Sequence, residues 1–319
     1  MISVVLLILG CYFLVKGAGF LVDGASSLAK RLKISELVIG LTVVAFGTSS
    51  PELVVNIFAT IQGNTDIAIG NILGSNTFNN LFILGISAVV FPLTVTNNTV
   101  WKEIPLSFLA AILVIILGND QLIDKNNFSL LSRIDGLILL SFFIVFMYYI
   151  LGTLKRNDII VERVVTKQFG LAKSLFWIVI GLIGLCIGGK LVVDGAVSIV
   201  HKLGVSEKLI GLTIVAMGTS LPELATSVVA ASKGNANIAV GNIVGSNIFN
   251  IFFILGLSSV INPLPFSANF NIDAGITILA SFILFISMFT GKKYLIDRWE
   301  GIFYILFYVV YVIFLINRG

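Results

Sequence analysis

Long runs of hydrophobic residues, separated by short polar segments, extend along almost the whole chain. Each run is about 17 residues or longer, which is enough for a helix to cross the ~30 Å hydrocarbon layer of a bilayer. The runs lie at about 2–29, 36–61, 67–91, 103–119, 134–153, 174–200, 207–232, 238–262, 271–291 and 299–317. This pattern predicts an all-α integral membrane protein with about ten transmembrane helices. No basic segment precedes the first run, so we expect a retained helix rather than a cleaved signal.

The chain also contains an internal duplication. Residues Val22–Pro92 align without a gap on Val193–Pro263, with about 40 identities in about 70 positions. Many of the identities are Gly, Asn, Pro, Ser or Glu, which chance similarity between hydrophobic helices does not produce. The most similar stretches are GTSSPEL (Gly47–Leu53) with GTSLPEL (Gly218–Leu224), and GNILGSNTFN (Gly70–Asn79) with GNIVGSNIFN (Gly241–Asn250).

The number of spans predicts how the two halves are oriented. The first repeat, 1–154, and the second, 174–319, each hold five predicted spans. Because five is odd, the second repeat must enter the membrane from the opposite side, so the repeats are predicted to be inverted. With the N-terminus placed outside, Lys and Arg concentrate in the loops on the side of the polar linker 155–173. We therefore predict a multi-pass protein of the cell membrane with a cytoplasmic linker and both termini extracellular.

Composition agrees with this class of protein. Hydrophobic residues make up 57% of the chain and charged residues 11%. In soluble domains about a quarter of all residues are charged. The net charge of +4 then reflects orientation in the membrane rather than binding to nucleic acid. The single histidine, His201, lies in a predicted loop. Cys11 and Cys186 lie in apolar segments, where buried and inert thiols are expected.

Four charged residues fall within predicted spans one and six. Lys16 and Lys190 lie where a lysine side chain can extend to the lipid headgroups, and a role in ion permeation is the alternative. Asp23 and Asp194 occupy equivalent positions in the two repeats. We expect them to cap or pair near helix ends rather than to bind ions.

One carboxylate lies in each copy of the first motif, inside a very apolar stretch: Glu52 and Glu223. A carboxylate at the centre of a bilayer costs about 3 kcal/mol on insertion scales, so two in matching surroundings indicate a site for something positive. Pro51 and Pro222 precede the acids and cannot donate to a helix. They predict breaks in spans two and seven, which free carbonyl oxygens that are tolerated only where they line a cavity or bind a ligand.

Hydroxyl and amide groups surround the acids in both motifs. They belong to Thr48, Ser49, Ser75 and Asn79 in the first repeat and to Thr219, Ser220, Ser246 and Asn250 in the second. Spans three and eight are expected to break in the same way at Gly70, Gly74, Gly241 and Gly245. The resulting donors are all oxygen, which suits hard cations such as Na⁺ and Ca²⁺, while zinc or copper would lack His and Cys ligands.

Two carboxylates would neutralise one Ca²⁺ or two Na⁺. A site without any cation would leave two buried charges unpaired, which is costly and favours exchange over transport of a single ion. The alternative is that Glu52 and Glu223 are protonated and only hydrogen-bond helices together.

Together the motifs resemble the two α-repeats of the calcium/cation antiporter superfamily, and most of all those of prokaryotic sodium/calcium exchangers. The resemblance implies ten helices in two inverted five-helix repeats, and exchange of several Na⁺ for one Ca²⁺ by alternating access at a midplane site. It implies a transporter and not an enzyme, with no cofactor, no obligatory protein partner, and Ca²⁺, Na⁺ and the lipid bilayer as its partners. The ligands that it implies are Glu52, Glu223, Thr48, Thr219, Ser49, Ser220, Ser75, Ser246, Asn79 and Asn250, with Ala45 and Ala216 through their backbone carbonyls.

One position departs from the pattern of related exchangers. Several of them, including potassium-dependent ones, carry Asp where Asn250 stands, and here both Asn79 and Asn250 are neutral. This predicts two acids at the centre and no dependence on K⁺. Two other functions stay open from the residues: a Ca²⁺/H⁺ antiporter in which Glu52 and Glu223 carry protons, and a cation channel with the motifs as its filter. The short loops disfavour a membrane receptor.

Overall fold

The computed structural model describes residues 2–123, 125, 128–154, 168–202 and 216–318, and in these ranges the chain is almost entirely helical. The helices are α1 (Ile2–Leu32), α2 (Glu36–Thr48), α3 (Ser50–Ile61), α4 (Thr65–Val90), α5 (Thr99–Gly118), α6 (Asp120–Ile123), α7 (Arg133–Leu154), α8 (Leu171–Lys202), α9 (Ala216–Thr219), α10 (Leu221–Ser232), α11 (Ala236–Ile261), α12 (Asn269–Ser287) and α13 (Arg298–Arg318). Within the described ranges, eight helices are long and apolar enough to cross a membrane, and the bent pair α2 and α3 adds a ninth.

The predicted spans agree with these bounds to within about four residues wherever both ends are described. The span predicted at 207–232 and the linker predicted at 155–173 lie partly outside the described residues, so the ten-helix count stays a prediction. The placement of His201 in a loop is wrong, because α8 continues through it to Lys202.

Two short antiparallel ribbons connect the halves at the ends of the helices. β1 (Leu93–Thr94), after α4, pairs with β4 (Leu295–Ile296), before α13. β2 (Leu130–Leu131), before α7, pairs with β3 (Leu264–Pro265), after α11. Each ribbon therefore joins one repeat to the other.

Helices α1 and α8 pack along each other through glycine. A Cβ atom on Gly17 would lie 2.8 Å from the carbonyl oxygen of Gly181, and one on Gly188 would lie 2.8 Å from that of Gly10. Only residues without a side chain permit this approach, which is a common way to pack helices in membranes.

The outer faces of α1 and α8 explain why the prediction for the cysteines is wrong. Cys11 and Cys186 are both exposed rather than buried. In the most apolar 18-residue stretch of either helix, only 28% is buried inside the protein. Most of their apolar side chains therefore point away from the protein, toward the lipid. An apolar segment does not by itself bury a thiol.

Helices α4 and α11 form the interior, since 78% and 94% of their most apolar 18-residue stretches are buried. Span two is broken as predicted: α2 ends at Thr48, and α3 begins after Ser49 with a bend of 46°. The second repeat has the same local form, with Ser220 between α9 and α10. A proline occupies the first turn of α3 and of α10, where its missing N–H has no helical partner to lose.

The sequence also predicted breaks in spans three and eight, at Gly70, Gly74, Gly241 and Gly245. This prediction is wrong, because α4 and α11 continue through the glycines and change only to π-helical turns at Asn79–Ile83 and Phe249–Leu255. In α11 glycine serves close packing instead. A Cβ on Gly245 would lie 2.7 Å from the carbonyl oxygen of Leu41 in α2.

Candidate cation-binding site

The two predicted acids lie at equivalent places in the broken helices. Glu52 is in the first turn of α3 and Glu223 in the first turn of α10, and each is only 1% exposed. The partial positive charge of a helix N-terminus stabilises a carboxylate in its first turn. The breaks at Ser49 and Ser220 therefore create a favourable position for each acid.

The serines at the breaks connect each acid to the other repeat. Ser49 Oγ donates to Glu223 Oε1 at 2.8 Å, and Ser220 Oγ donates to Glu52 Oε1 at 2.8 Å. These crossed bonds bring the broken helices of the two halves together at one centre. The second oxygen of each carboxylate is buried and has no hydrogen-bond partner among the described residues.

Three neutral oxygens in the predicted set share this property. Ser75 Oγ, Asn79 Oδ1 and Asn250 Oδ1 are buried without a hydrogen-bond partner in the described part of the chain. Leaving such a group unsatisfied costs about 1–3 kcal/mol, and native proteins rarely tolerate several together. Unpaired oxygens of this kind are the donors that a hard cation requires.

The remaining predicted residues lie in, or against, the helical segments that precede the two breaks. Ser246 Oγ lies 3.5 Å from the carbonyl oxygen of Ala45, and Thr48 Oγ1 lies 3.2 Å from the same oxygen. Thr219 is 9% exposed at the end of α9, and Ala216 begins that helix. The structure thus forms two groups from the predicted residues, the crossed acids and serines and the hydroxyls at the Ala45 carbonyl.

Sequence reasoning missed four asparagines that hold the predicted residues. Thr48 Oγ1 donates to Asn242 Oδ1 at 3.0 Å, and Thr219 Oγ1 donates to Asn71 Oδ1 at 3.3 Å. A second pair, Asn76 and Asn247, accepts the side-chain amides of Asn250 and Asn79. All four lie inside the duplicated motifs at matching positions, and this duplication was the signal that could have identified them.

The ionisable groups of the site are the two carboxylates, and its other oxygens are neutral. In the described ranges no group of three or more His, Cys, Asp and Glu residues could hold a metal. The oxygens gathered here belong to two carboxylates and to neutral hydroxyl, amide and carbonyl groups.

Comparison with known proteins agrees with the fold. The sodium/calcium exchanger protein family matches residues 2–152 and 173–317. The chain is 34% identical over 349 residues to the sodium/calcium exchanger MaX1 of Methanosarcina acetivorans, with 98% of both chains covered. It is 36% identical over 292 residues to the inner membrane protein YrbG of Escherichia coli, with 88% of this chain and 87% of that protein covered. Among solved structures, the sodium-calcium exchanger NCX_Mj superimposes with a TM-score of 0.82 at 34% identity, with 98% of both chains covered.

The apolar helices and the family match together define a multi-pass membrane antiporter for cations. The chain belongs to the sodium/calcium exchanger protein family, and the resemblance found in its motifs is confirmed.

Proposed function

We propose that this protein is an electrogenic antiporter that exchanges Na⁺ for Ca²⁺ by alternating access around Glu52 and Glu223. The observation that carries this proposal is the crossed pair of acids. Each has one oxygen held by a serine and one oxygen without a hydrogen-bond partner among the described residues. Their charge would balance one Ca²⁺ or two Na⁺. Because two buried and unpaired carboxylates are costly, the ion-free carrier is disfavoured and each crossing requires a cation.

The proposal includes ten transmembrane helices in two inverted repeats, 1–154 and 174–319, joined by a cytoplasmic linker at 155–173. Both termini are extracellular. The equivalent breaks at Ser49 and Ser220 support the repeats, and the concentration of Lys and Arg on the linker side supports the orientation.

The space beside the broken helices differs between the two repeats, and this asymmetry supports alternating access. A cavity of about 390 Å³ adjoins the broken helix of each repeat and reaches the exposed face of α8. Its lining includes Pro51, Thr219, Cys186, Lys190 and Val193. In the proposed topology this side faces outward.

The repeat-related region on α1 is closed. Val22, which corresponds to Val193, is only 2% exposed, and α1 packs against α10 there. Lys233, just after α10, forms an ion pair with Asp23 and donates to the carbonyl oxygen of Gly19 at 3.1 Å. The corresponding lysine position in the first repeat is Gln62, so the equivalent pair cannot form on the open side.

This asymmetry predicts an effect of Lys233→Gln on access. In a variant without native cysteines, Val193→Cys should react with a membrane-impermeant thiol reagent from outside, and Val22→Cys should react slowly from the cytoplasmic side. Adding Lys233→Gln should raise the rate at Val22→Cys by about two- to fivefold, the range that a partly exposed ion pair supports. Equal rates at Val22→Cys with and without Lys233 would contradict this account of the closed side.

The proposed function is tested by Ca²⁺ uptake into proteoliposomes loaded with Na⁺. Uptake should require the outward Na⁺ gradient and should not be supported by Li⁺, K⁺ or H⁺ gradients of the same size. Uptake driven by a pH gradient without Na⁺ would instead indicate the Ca²⁺/H⁺ antiporter, with Glu52 and Glu223 carrying protons. Single-channel currents would indicate a pore.

A further inference from the structure

The side-chain amides of Asn79 and Asn250 each have one oxygen that a cation can use and one NH₂ group that would repel it. Which of the two faces the centre therefore matters for binding. We propose that Asn76 and Asn247 are positioning residues that hold the oxygens of Asn250 and Asn79 toward the cation. This inference rests on the proposed function, because it concerns the same site.

The first chain of hydrogen bonds fixes Asn250. Asn250 Nδ2 donates to Asn76 Oδ1 at 3.0 Å, and Asn76 Nδ2 donates to the backbone carbonyl of Asn247 at 3.2 Å. A carbonyl oxygen can only accept, so Asn76 must turn its NH₂ to this carbonyl and its oxygen to Asn250. Asn250 must then use its NH₂ as the donor, and its Oδ1 is left unpaired within the described structure.

The second chain of hydrogen bonds is longer, and it also makes the NH₂ group of Asn79 the donor. Asn79 Nδ2 donates to Asn247 Oδ1 at 3.0 Å, and Asn247 Nδ2 donates to Asn80 Oδ1 at 2.7 Å. Asn80 Nδ2 donates to Ser281 Oγ at 2.9 Å, and Ser281 Oγ donates to the carbonyl of Thr277 at 3.0 Å. Here too a backbone carbonyl at the end sets the direction of every bond before it.

The two chains differ because Asn80 has no polar counterpart. The repeat-related residue is Ile251, so the first chain ends at once on the backbone of α11, while the second extends to Ser281 in α12. All four asparagines of the two pairs are at most 1% exposed, so water does not readily replace a lost partner. Removing an acceptor would free the amide of its partner to rotate and present NH₂ to the cation.

The prediction is that Asn76→Leu lowers the affinity for Ca²⁺ by about tenfold, the lower end of the loss seen when groups that orient metal ligands are removed. The measurement is equilibrium ⁴⁵Ca²⁺ binding to the purified full-length protein in detergent, made alone and in an Asn250→Ala background. Because Asn76 acts through Asn250, Asn76→Leu should have little further effect once Asn250 is alanine. A double-mutant cycle measures this dependence directly.

A merely structural role for Asn76 would give the same loss of affinity in both backgrounds, and that additive result would overturn the inference.

If Asn76→Leu does not fold, Asn80→Ile provides the second test, since it introduces the residue found at the equivalent position. It should lower Ca²⁺ affinity in the wild-type background but not in Asn79→Ala, and equal losses in both would likewise overturn the inference. Binding requires no transport, so an additive cycle in a protein that exchanges Na⁺ for Ca²⁺ would reject only the positioning role.

Discussion

Replacing either acid by its amide, Glu52→Gln or Glu223→Gln, should reduce Na⁺-driven Ca²⁺ uptake by about two orders of magnitude or more. Each change removes half of the compensating charge from a buried site, and removing one partner of a buried ion pair costs about 3–5 kcal/mol. Glutamine keeps the size of the side chain and can still accept the serine hydrogen bond that Oε1 accepts now. The variants should therefore fold, and uptake in proteoliposomes at matched protein content measures the effect.

Glu103 offers a matched control for these variants. It is a buried acid, 2% exposed, in α5, where it accepts a hydrogen bond from Tyr149. Glu103→Gln makes the same replacement of a buried carboxyl by an amide outside the candidate site, so exchange should stay close to the wild-type rate. Normal uptake in Glu52→Gln or Glu223→Gln would reject the assignment of the acids as ligands.

The second large effect is expected at a glycine that lets two helices approach the site. In Gly245→Ala the added Cβ would lie 2.7 Å from the carbonyl oxygen of Leu41 and 2.8 Å from the Cβ of Ala45. Overpacking of this kind costs about 1–3 kcal/mol. Because α11 also carries Ser246 next to the Ala45 carbonyl, separating the helices should weaken Ca²⁺ binding as well. Thermal unfolding and ⁴⁵Ca²⁺ binding measure the two effects.

Gly275→Ala in α12 is the control for this steric argument. A Cβ at Gly275 meets no atom of the described residues within 4 Å, and alanine favours a helix over glycine by about 1 kcal/mol. The control should leave stability unchanged or raise it. Equal stability of Gly245→Ala and wild type would show that α2 and α11 are not held at this close distance.

Much of the candidate site could be predicted because its motifs occur twice in the sequence. The motif around Pro51 predicts a broken helix with an acid in its first turn, and the second copy around Pro222 predicts the same. Both breaks occur in the structure as expected. Local chemistry was sufficient here, since proline cannot continue the hydrogen bonding of the preceding turn.

The parts that could not be predicted depend on how the two halves meet. Asn76 and Asn247 lie within helices, where an asparagine can serve packing as well as bonding, and their partners lie about 170 residues away in sequence. The role of Gly245 could not be predicted for the same reason. Alone it indicates a weak point in a helix, and only the neighbouring backbone of α2 shows that it permits contact. The proposed ligand roles of the twelve predicted residues, the inverted topology and the position of the termini stay predictions.

The most direct test of Na⁺/Ca²⁺ antiport at this site is to measure both ions in the same proteoliposomes. Vesicles loaded with ²²Na⁺ are exposed to external ⁴⁵Ca²⁺ while the membrane potential is held at zero. The account predicts that Na⁺ efflux begins with Ca²⁺ uptake, carries more charge than the Ca²⁺ that enters, and disappears together with it in Glu52→Gln. Ca²⁺ uptake that proceeds at the same rate without Na⁺ efflux would contradict the account.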